Sequence, residues 1–225
     1  MKKKGAIYLI ILVALAAIVT SCNKDEEPPD PVIDIEGNTY KTVRIGNQVL
    51  MAENLRTTRF NDGTDVALIT DNTDWGNLTT PGYCWYNNEE ADNNSYGPLY
   101  NGYTVSNGKL CPTGWHVPAR EEWQQLREFL GDTLKGGGKL KEAGTTHWLI
   151  PNRGADNTSG FTALAAGIRY FEGSYKALFN YTCFWSATEI GINDLRYMSL
   201  YFGDAIVNMS YRSKKHGFSV RCAKD

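Results

Sequence analysis

Only one stretch of this 225-residue chain holds a clear helical hydrophobic period, and that limits the fold more than any other feature. Trp123, Leu126, Phe129 and Leu130 recur at helical spacing behind Pro118, a favoured first-turn residue. Glu121 and Glu122 lie at the positive end of the helix dipole, and Gly131 supplies the stop. The usual Ser or Thr cap is missing, because Ala119 follows the proline. Elsewhere Gly, Asn and Asp interrupt the chain every few residues. Between 37 and 55, GNTYKTVRIGNQVLMAENL alternates apolar and polar residues around a turn signal at Ile45-Gly46-Asn47, which predicts a β-hairpin. From Asn61 to Asn107 the sequence predicts loops and short strands. A second, shorter helix is predicted over 138–142 with Leu140 buried. After Gly160 the segments FTALAAGIRYF, CFWSATE, LRYMSLYF, AIVNMSY and HGFSVRCA each read as a short strand. The pattern predicts an α+β domain with one main helix, a short second helix and a mostly antiparallel sheet with long loops.

The N-terminus is of another kind. Lys2, Lys3 and Lys4 precede the apolar run AIYLIILVALAAIV, so 1–21 reads as a secretory signal. Its 14 apolar residues fall short of a span, which needs about 20. Val19-Thr20-Ser21-Cys22 resembles a bacterial lipobox, which implies cleavage before Cys22 and acylation of its thiol. Several acyl chains, at ~0.8 kcal/mol per buried methylene, hold a protein durably on a membrane. Asn23-Lys24-Asp25-Glu26-Glu27 resembles the surface-export signal of Bacteroidetes-type lipoproteins. Pro28, Pro29 and Pro31 make 22–34 a stiff extended tether, leaving 35–225 as the domain. The expected location is the outer membrane, lipid-anchored and exposed at the cell surface.

Without the signal, 204 residues remain, and the 23 basic residues lose three lysines to become 20 against 25 acids. A mildly acidic chain with no basic block lacks the electrostatic footprint for nucleic acid. With 13 Tyr, 8 Phe, 6 Trp and 22 Gly, the composition is turn-rich and globular. Besides Cys22 there are Cys84, Cys111, Cys183 and Cys222, and an even number in an exported chain predicts two disulfides. Three pairings are open. No C-x-x-C spacing points to a metal thiolate site.

The stretches GNTYKTVRIGNQVLMAENL, YCWYNN, YGPLYNGYTV, LCPTGWHVPAREEWQQL, GGGKLKEAGTTHW, SGFTALAAGIRYFEGSY, FWSATE and GFSVRCAKD run in one order across 35–225. In that order they resemble the Fibrobacter succinogenes major paralogous domain. Two departures are Leu50, where tryptophan is usual, and Ala119 in place of a capping hydroxyl. The family in turn resembles C-type-lectin-like domains of the formylglycine-generating-enzyme type. The shared features are Gly114-Trp115-His116-Val117-Pro118, Glu122-Trp123, Gly167-Ile168-Arg169, Gly173-Ser174-Tyr175 and Gly217-Phe218-Ser219-Val220-Arg221. That resemblance implies N- and C-terminal strands that meet, and the disulfides Cys111–Cys222 and Cys84–Cys183. It also places the ligand-meeting face between the Gly-Ser-aromatic step and the last strand, at Tyr175, Asn180, Tyr181, Asn193, Asp194, Tyr201 and Asn208. Tyrosine and asparagine suit recognition, through large contact area and adaptable hydrogen bonds.

Catalysis is not expected. Formylglycine-type enzymes use reactive cysteines in the C-terminal half; the candidates here are Cys183 and Cys222, and the implied pairings consume both. There is no G-x-S-x-G elbow and no H-E-x-x-H helix. His116, His147 and His216 are scattered, with packing roles expected for His116 and His216 beside Trp115 and Phe218. Glu89-Glu90 and Glu121-Glu122 are adjacent pairs whose members point different ways. The Glu-Pro-Asn and Gln-Pro-Asp triplets of calcium-dependent lectins are absent, Ile150 standing before Pro151-Asn152. The loop 87–97 offers oxygen ligands without EF-hand spacing and reads as a solvated loop. No metal and no cofactor is expected. The expected molecule is a monomeric surface lipoprotein that recognises an extracellular glycan or protein. An exported enzyme acting on polysaccharide or on protein side chains is the first alternative, and a structural surface component the second.

Overall fold

The hairpin forms where the alternation places it: Thr42–Ile45 pairs antiparallel with Gln48–Met51, Val43 opposite Leu50. Gly46 turns it at φ +61°, and a Cβ there would lie 2.9 Å from the Phe129 ring. The structure is a computed structural model describing residues 28–131 and 134–225; the expected signal, Cys22 and the start of the tether lie outside them. Ala223 of the last strand (Ala223–Lys224) sits between Leu50 of the hairpin and His116 of Trp115–His116, so both ends of the domain share one four-stranded sheet. Among the described residues no helix is long and apolar enough to cross a membrane.

A larger, mostly antiparallel sheet carries the rest. A long hairpin, Tyr181–Ile190 against Asp194–Tyr201, is extended on one side by Asn208–Ser213. On its other side come Ala166–Arg169, then Gly217–Phe218, Leu99–Asn101, Gly82–Cys84 and Ala67–Leu68, with Tyr175–Leu178 folded onto Ala166–Arg169. The architecture is α+β, mostly sheet with a few short helices.

Alternation along the long hairpin divides the interior in two. Phe184, Met198 and Leu200 face a core that includes Trp123, Leu126, Leu140, Trp148 and Phe161. Cys183, Trp185, Leu195 and Tyr197 face another, with Tyr40, Tyr100, Ile168 and Phe218.

The main helix spans Arg120–Phe129 and buries Trp123 and Leu126. Phe129, expected on the buried stripe, is 64% exposed and covers Gly46 instead. The missing cap is supplied from elsewhere. Thr188 Oγ1 on the long hairpin accepts from Arg120 N at 2.9 Å, and Glu122 Oε2 accepts from Ala119 N at 2.7 Å. Two of the four orphan donors at the helix start are thereby satisfied. The second helix spans Gly136–Leu140, two residues earlier than predicted, with Leu140 buried. Its glycines permit close backbone approach: a Cβ on Gly138 would lie 2.1 Å from Gly154 O. Three more short helices, Asn72–Asn77, Glu90–Asn93 and Gly102–Ser106, interrupt the region expected to hold loops and short strands, the second of them within the stretch 87–97 expected as a solvated loop.

Cys111 and Cys222 form a disulfide, with Cα atoms 5.9 Å apart. Cys84 and Cys183 do not: both are free and buried. Cys84 packs with Trp75, Tyr86 and Leu99, whereas Cys183 belongs to the core of Trp185 and Phe218. Along the sheet, strands 166–169, 217–218 and 99–101 lie between them. At about 4.8 Å per strand step the two are beyond the ~7 Å Cα limit for bridging. Burial raises the Cys84 thiol to about 11 and Cys183 well above its ordinary value, so both are protonated at neutral pH. Iodoacetamide applied to native protein should therefore label neither. Unfolded without reductant, the chain should take up label at two cysteines by mass spectrometry, and at a third only if Cys22 is not acylated. Native labelling of Cys183 would contradict this burial.

The packing role expected for His116 is not what the structure shows. The ring is 39% exposed, with Nδ1 2.6 Å from Asp225 Oδ1 and Nε2 2.9 Å from Glu122 Oε1. Burial opposes its charge, but hydrogen bonds to the two carboxylates outweigh that and raise its pKa. His216 does pack, 5% exposed, with Tyr170, Phe171 and Phe218 around it.

Candidate functional site

One end of the second core is left uncovered. Successive odd-numbered residues of the long hairpin point to that side: Tyr181 pairs with Tyr201, Cys183 with Ser199 and Trp185 with Tyr197. On the neighbouring strand Arg212 lies opposite Leu195 and continues the same face. Trp185 is sealed in, its Nε1 donating to Tyr100 O at 2.8 Å and its ring 4.3 Å from Phe218. Toward Tyr181 and Tyr201 the covering layer stops, leaving a pocket of about 290 Å³. Its most buried contacts are Cys183, Phe218 and His216, followed by Tyr197. Ile168, Tyr170 and Ala177 form the facing side, with Arg212 also lining it.

The turn that delivers Asn180 into this pocket is conformationally costly. Ala177 (φ 66°) and Phe179 (φ 63°) both occupy the left-handed region, at roughly 1 kcal/mol or more each. Asn180 Oδ1 is buried, and neither atom of its amide has a hydrogen-bond partner among the described residues. Tyr181 is fixed, its hydroxyl donating to Ser199 Oγ at 2.7 Å and its ring 6.1 Å from that of Tyr201. Burial raises the pKa values of Tyr181 and Tyr197, which stay as neutral hydroxyls. His216 Nδ1 donates to Ser213 O at 3.1 Å, and burial lowers its pKa, so the neutral ring keeps Nε2 as an acceptor. Lys141 Nζ holds the end of Tyr201's strand from behind, reaching the carbonyls of Arg153, Tyr201 and Asp204 at 2.7–3.1 Å. Burial lowers that ammonium to about 8.

Of the seven residues expected on the ligand face, the structure brings together Asn180, Tyr181 and Tyr201. Asn193 and Asp194 sit at the opposite end of the long hairpin, about 23–26 Å along the strand from Tyr201 at ~3.3 Å per residue, although Asp194 still acts electrostatically on His216. Asn208 is exposed opposite Ser199, on the same face but outside the pocket. Tyr175 is a structural residue: its hydroxyl donates to Asn88 Oδ1 at 2.7 Å and its ring stacks 4.7 Å from the Arg169 guanidinium. Trp75 holds Arg169 at 4.4 Å, and Gly173, Ile69, Thr70 and Asp71 carbonyls accept from it. The Gly-Ile-Arg and Gly-Ser-Tyr motifs thus build one buried cation site. The residues missed were Tyr170, Cys183, Tyr197, Arg212 and His216. Two-residue spacing from Tyr181 and Tyr201 would have found Cys183 and Tyr197.

A larger groove, about 690 Å³, lies against the other core, lined by Pro28, Pro29, Gly46, Phe129 and Lys139 among others. It is where the tether enters, Thr42 Oγ1 donating to Pro29 O at 2.8 Å. Among the described residues no three His, Cys, Asp or Glu side chains converge to hold a metal.

The model of the Fibrobacter succinogenes major domain family matches residues 43–224. No curated protein and no solved structure matches the chain.

Proposed function

The chain belongs to the Fibrobacter succinogenes major domain family, and from that premise we propose that it is a surface lipoprotein whose lectin-like domain recognises an extracellular glycan without catalysis. The carrying observation is the pocket where Asn180, Tyr181 and Tyr201 converge. Tyrosine faces suit sugar rings, and an unpaired amide and neutral hydroxyls suit sugar hydroxyls. Its volume is at the small end for ligand pockets, which favours one or two rings over a protein surface. The lectin-like assignment is supported by the shared terminal sheet and by a disulfide joining the segment before the main helix to the last strand.

Lipid anchoring fits this arrangement. The tether's groove and the pocket belong to opposite faces of the long hairpin's sheet. Cys22, six residues before Pro28, would place an outer-membrane surface on the side away from the pocket. A monomer suffices for such a role.

The observation favouring catalysis is that Cys183 is free and lines the pocket. Its thiol, however, is buried and protonated, the opposite of an activated nucleophile. A glycan array probed with the full-length protein in detergent tests the proposal. Binding should appear, and Tyr201→Ala or Asn180→Ala should weaken it at least tenfold. A silent glycan array beside a positive protein array would replace the sugar with a protein partner. A reaction product that disappears in Cys183→Ser would replace recognition with catalysis.

A further inference from the structure

Arg212 is the one cationic side chain lining the tyrosine pocket, and its surroundings do not account for its charge. It is exposed; its one hydrogen bond among the described residues is a long one, Nη1 to Tyr211 O at 3.4 Å. No carboxylate of the described residues lies within 4 Å of it. Glu172 and Asp194 are near enough to act electrostatically on His216, but neither pairs with Arg212. Among the described residues no carboxylate lines the pocket beside it: burial keeps the Tyr181 and Tyr197 hydroxyls, the Cys183 thiol and the His216 ring neutral, and Asn180 contributes an amide. A neutral sugar would leave the guanidinium without a counter-charge. A quaternary ammonium, for which aromatic cages are otherwise suited, would meet a fixed positive charge there. The same ligand would also compete with Lys176 Nζ, already 4.5 Å over the Tyr170 ring.

We infer that the pocket takes a sugar ring bearing a carboxylate, its acid group paired with Arg212 and its ring against Tyr201. This rests on the glycan-recognition reading and narrows it to acidic sugars. The geometry suits it because the guanidinium presents two parallel donors that match a carboxylate. Arg212 and Tyr201 come from neighbouring strands on one sheet face, so the acid and the ring are addressed by separate side chains. Acceptors at Asn180 Oδ1 and His216 Nε2 remain for the hydroxyls.

The test uses galacturonate, glucuronate and N-acetylneuraminate, each against its methyl ester, with the full-length protein in detergent. Esterification removes the charge and keeps the ring. Calorimetry at low ionic strength should show one acid binding at least tenfold tighter than its ester, with the preference shrinking at high salt. Arg212→Gln should bring that acid to the level of its ester while leaving the ester's own affinity in place. The side chain is exposed and makes only a marginal contact, so the variant should keep the wild-type unfolding midpoint, which serves as its folding control. An ester that binds as tightly as its acid, both lost in Tyr201→Ala, would overturn the carboxylate assignment and leave glycan recognition standing. If neither these sugars nor any neutral glycan of the array binds, both fall together.

Discussion

Replacing Arg221 with methionine should cost about 4 kcal/mol, a large share of the domain's stability. The guanidinium is 1% exposed and lies 4.1 Å over the Phe161 ring. Nε donates to Asn54 Oδ1 at 2.9 Å, Nη2 to Thr162 O at 2.8 Å, and Nη1 to Phe161 O. Burial lowers its pKa to about 9, so it remains charged at neutral pH. Methionine fills most of the space but donates nothing, stranding two buried acceptors, Asn54 Oδ1 and Phe161 O, at roughly 1–3 kcal/mol each, and the half-buried Thr162 O besides. A domain of this size has only about 5–15 kcal/mol in hand. Arg221→Lys keeps the charge but not the fork, and should recover part of the loss. Urea unfolding followed by tryptophan fluorescence reads the difference. A methionine variant within about 1 kcal/mol of wild type would show that Asn54 and the 161–162 carbonyls find other donors.

These buried cations explain what the sequence showed and what it hid. Gly217-Phe218-Ser219-Val220-Arg221 and Gly167-Ile168-Arg169 were visible as motifs, but apart from Gly173 O, four residues on from Arg169, the partners of their arginines are remote in sequence. Arg169 reaches carbonyls some 100 residues away, and Arg221 reaches Asn54 across 167. The hairpin at 42–51 and the main helix were legible because alternation, helical period and stop signals are local. The helix cap was not, because Thr188 supplies it from another strand. The helix Asn72–Asn77 could have been read: Asp71 accepts from Thr73 N and Asp74 N, an ordinary acidic cap. Pairing Cys84 with Cys183 failed because an even count fixes no distance, and sheet order put three strands between them. In the pocket, residue type suggested Asn180, Tyr181 and Tyr201. Only strand register could add Arg212, and only folding could send Asn193 and Asp194 to the far end of the hairpin.

Replacing Cys111 and Cys222 together by alanine should cost a similar 4–5 kcal/mol. The bond spans 111 residues, and the loop-entropy treatment assigns about 4.7 kcal/mol to a loop near 100. Its position suggests that the loss would be felt locally first. Cys222 O accepts from Met51 N, and the next residue, Ala223, joins Leu50 to His116. Without the staple, a two-residue strand, the hydrogen bond from Asp225 N to Gly114 O and the His116–Asp225 contact hold the C-terminus. Limited proteolysis of the variant should therefore begin with release of the last residues, before the long hairpin is cut. Arg221 and Cys222 are chain neighbours acting on the same segment, so their losses should not add. If freeing the C-terminus already strands Asn54 and the 161–162 carbonyls, Arg221→Met in the cystine-free background should cost clearly less than in wild type. Full additivity in that double-mutant cycle would mean that arginine and disulfide stabilise separate parts of the fold, and that the C-terminus does not detach as a unit.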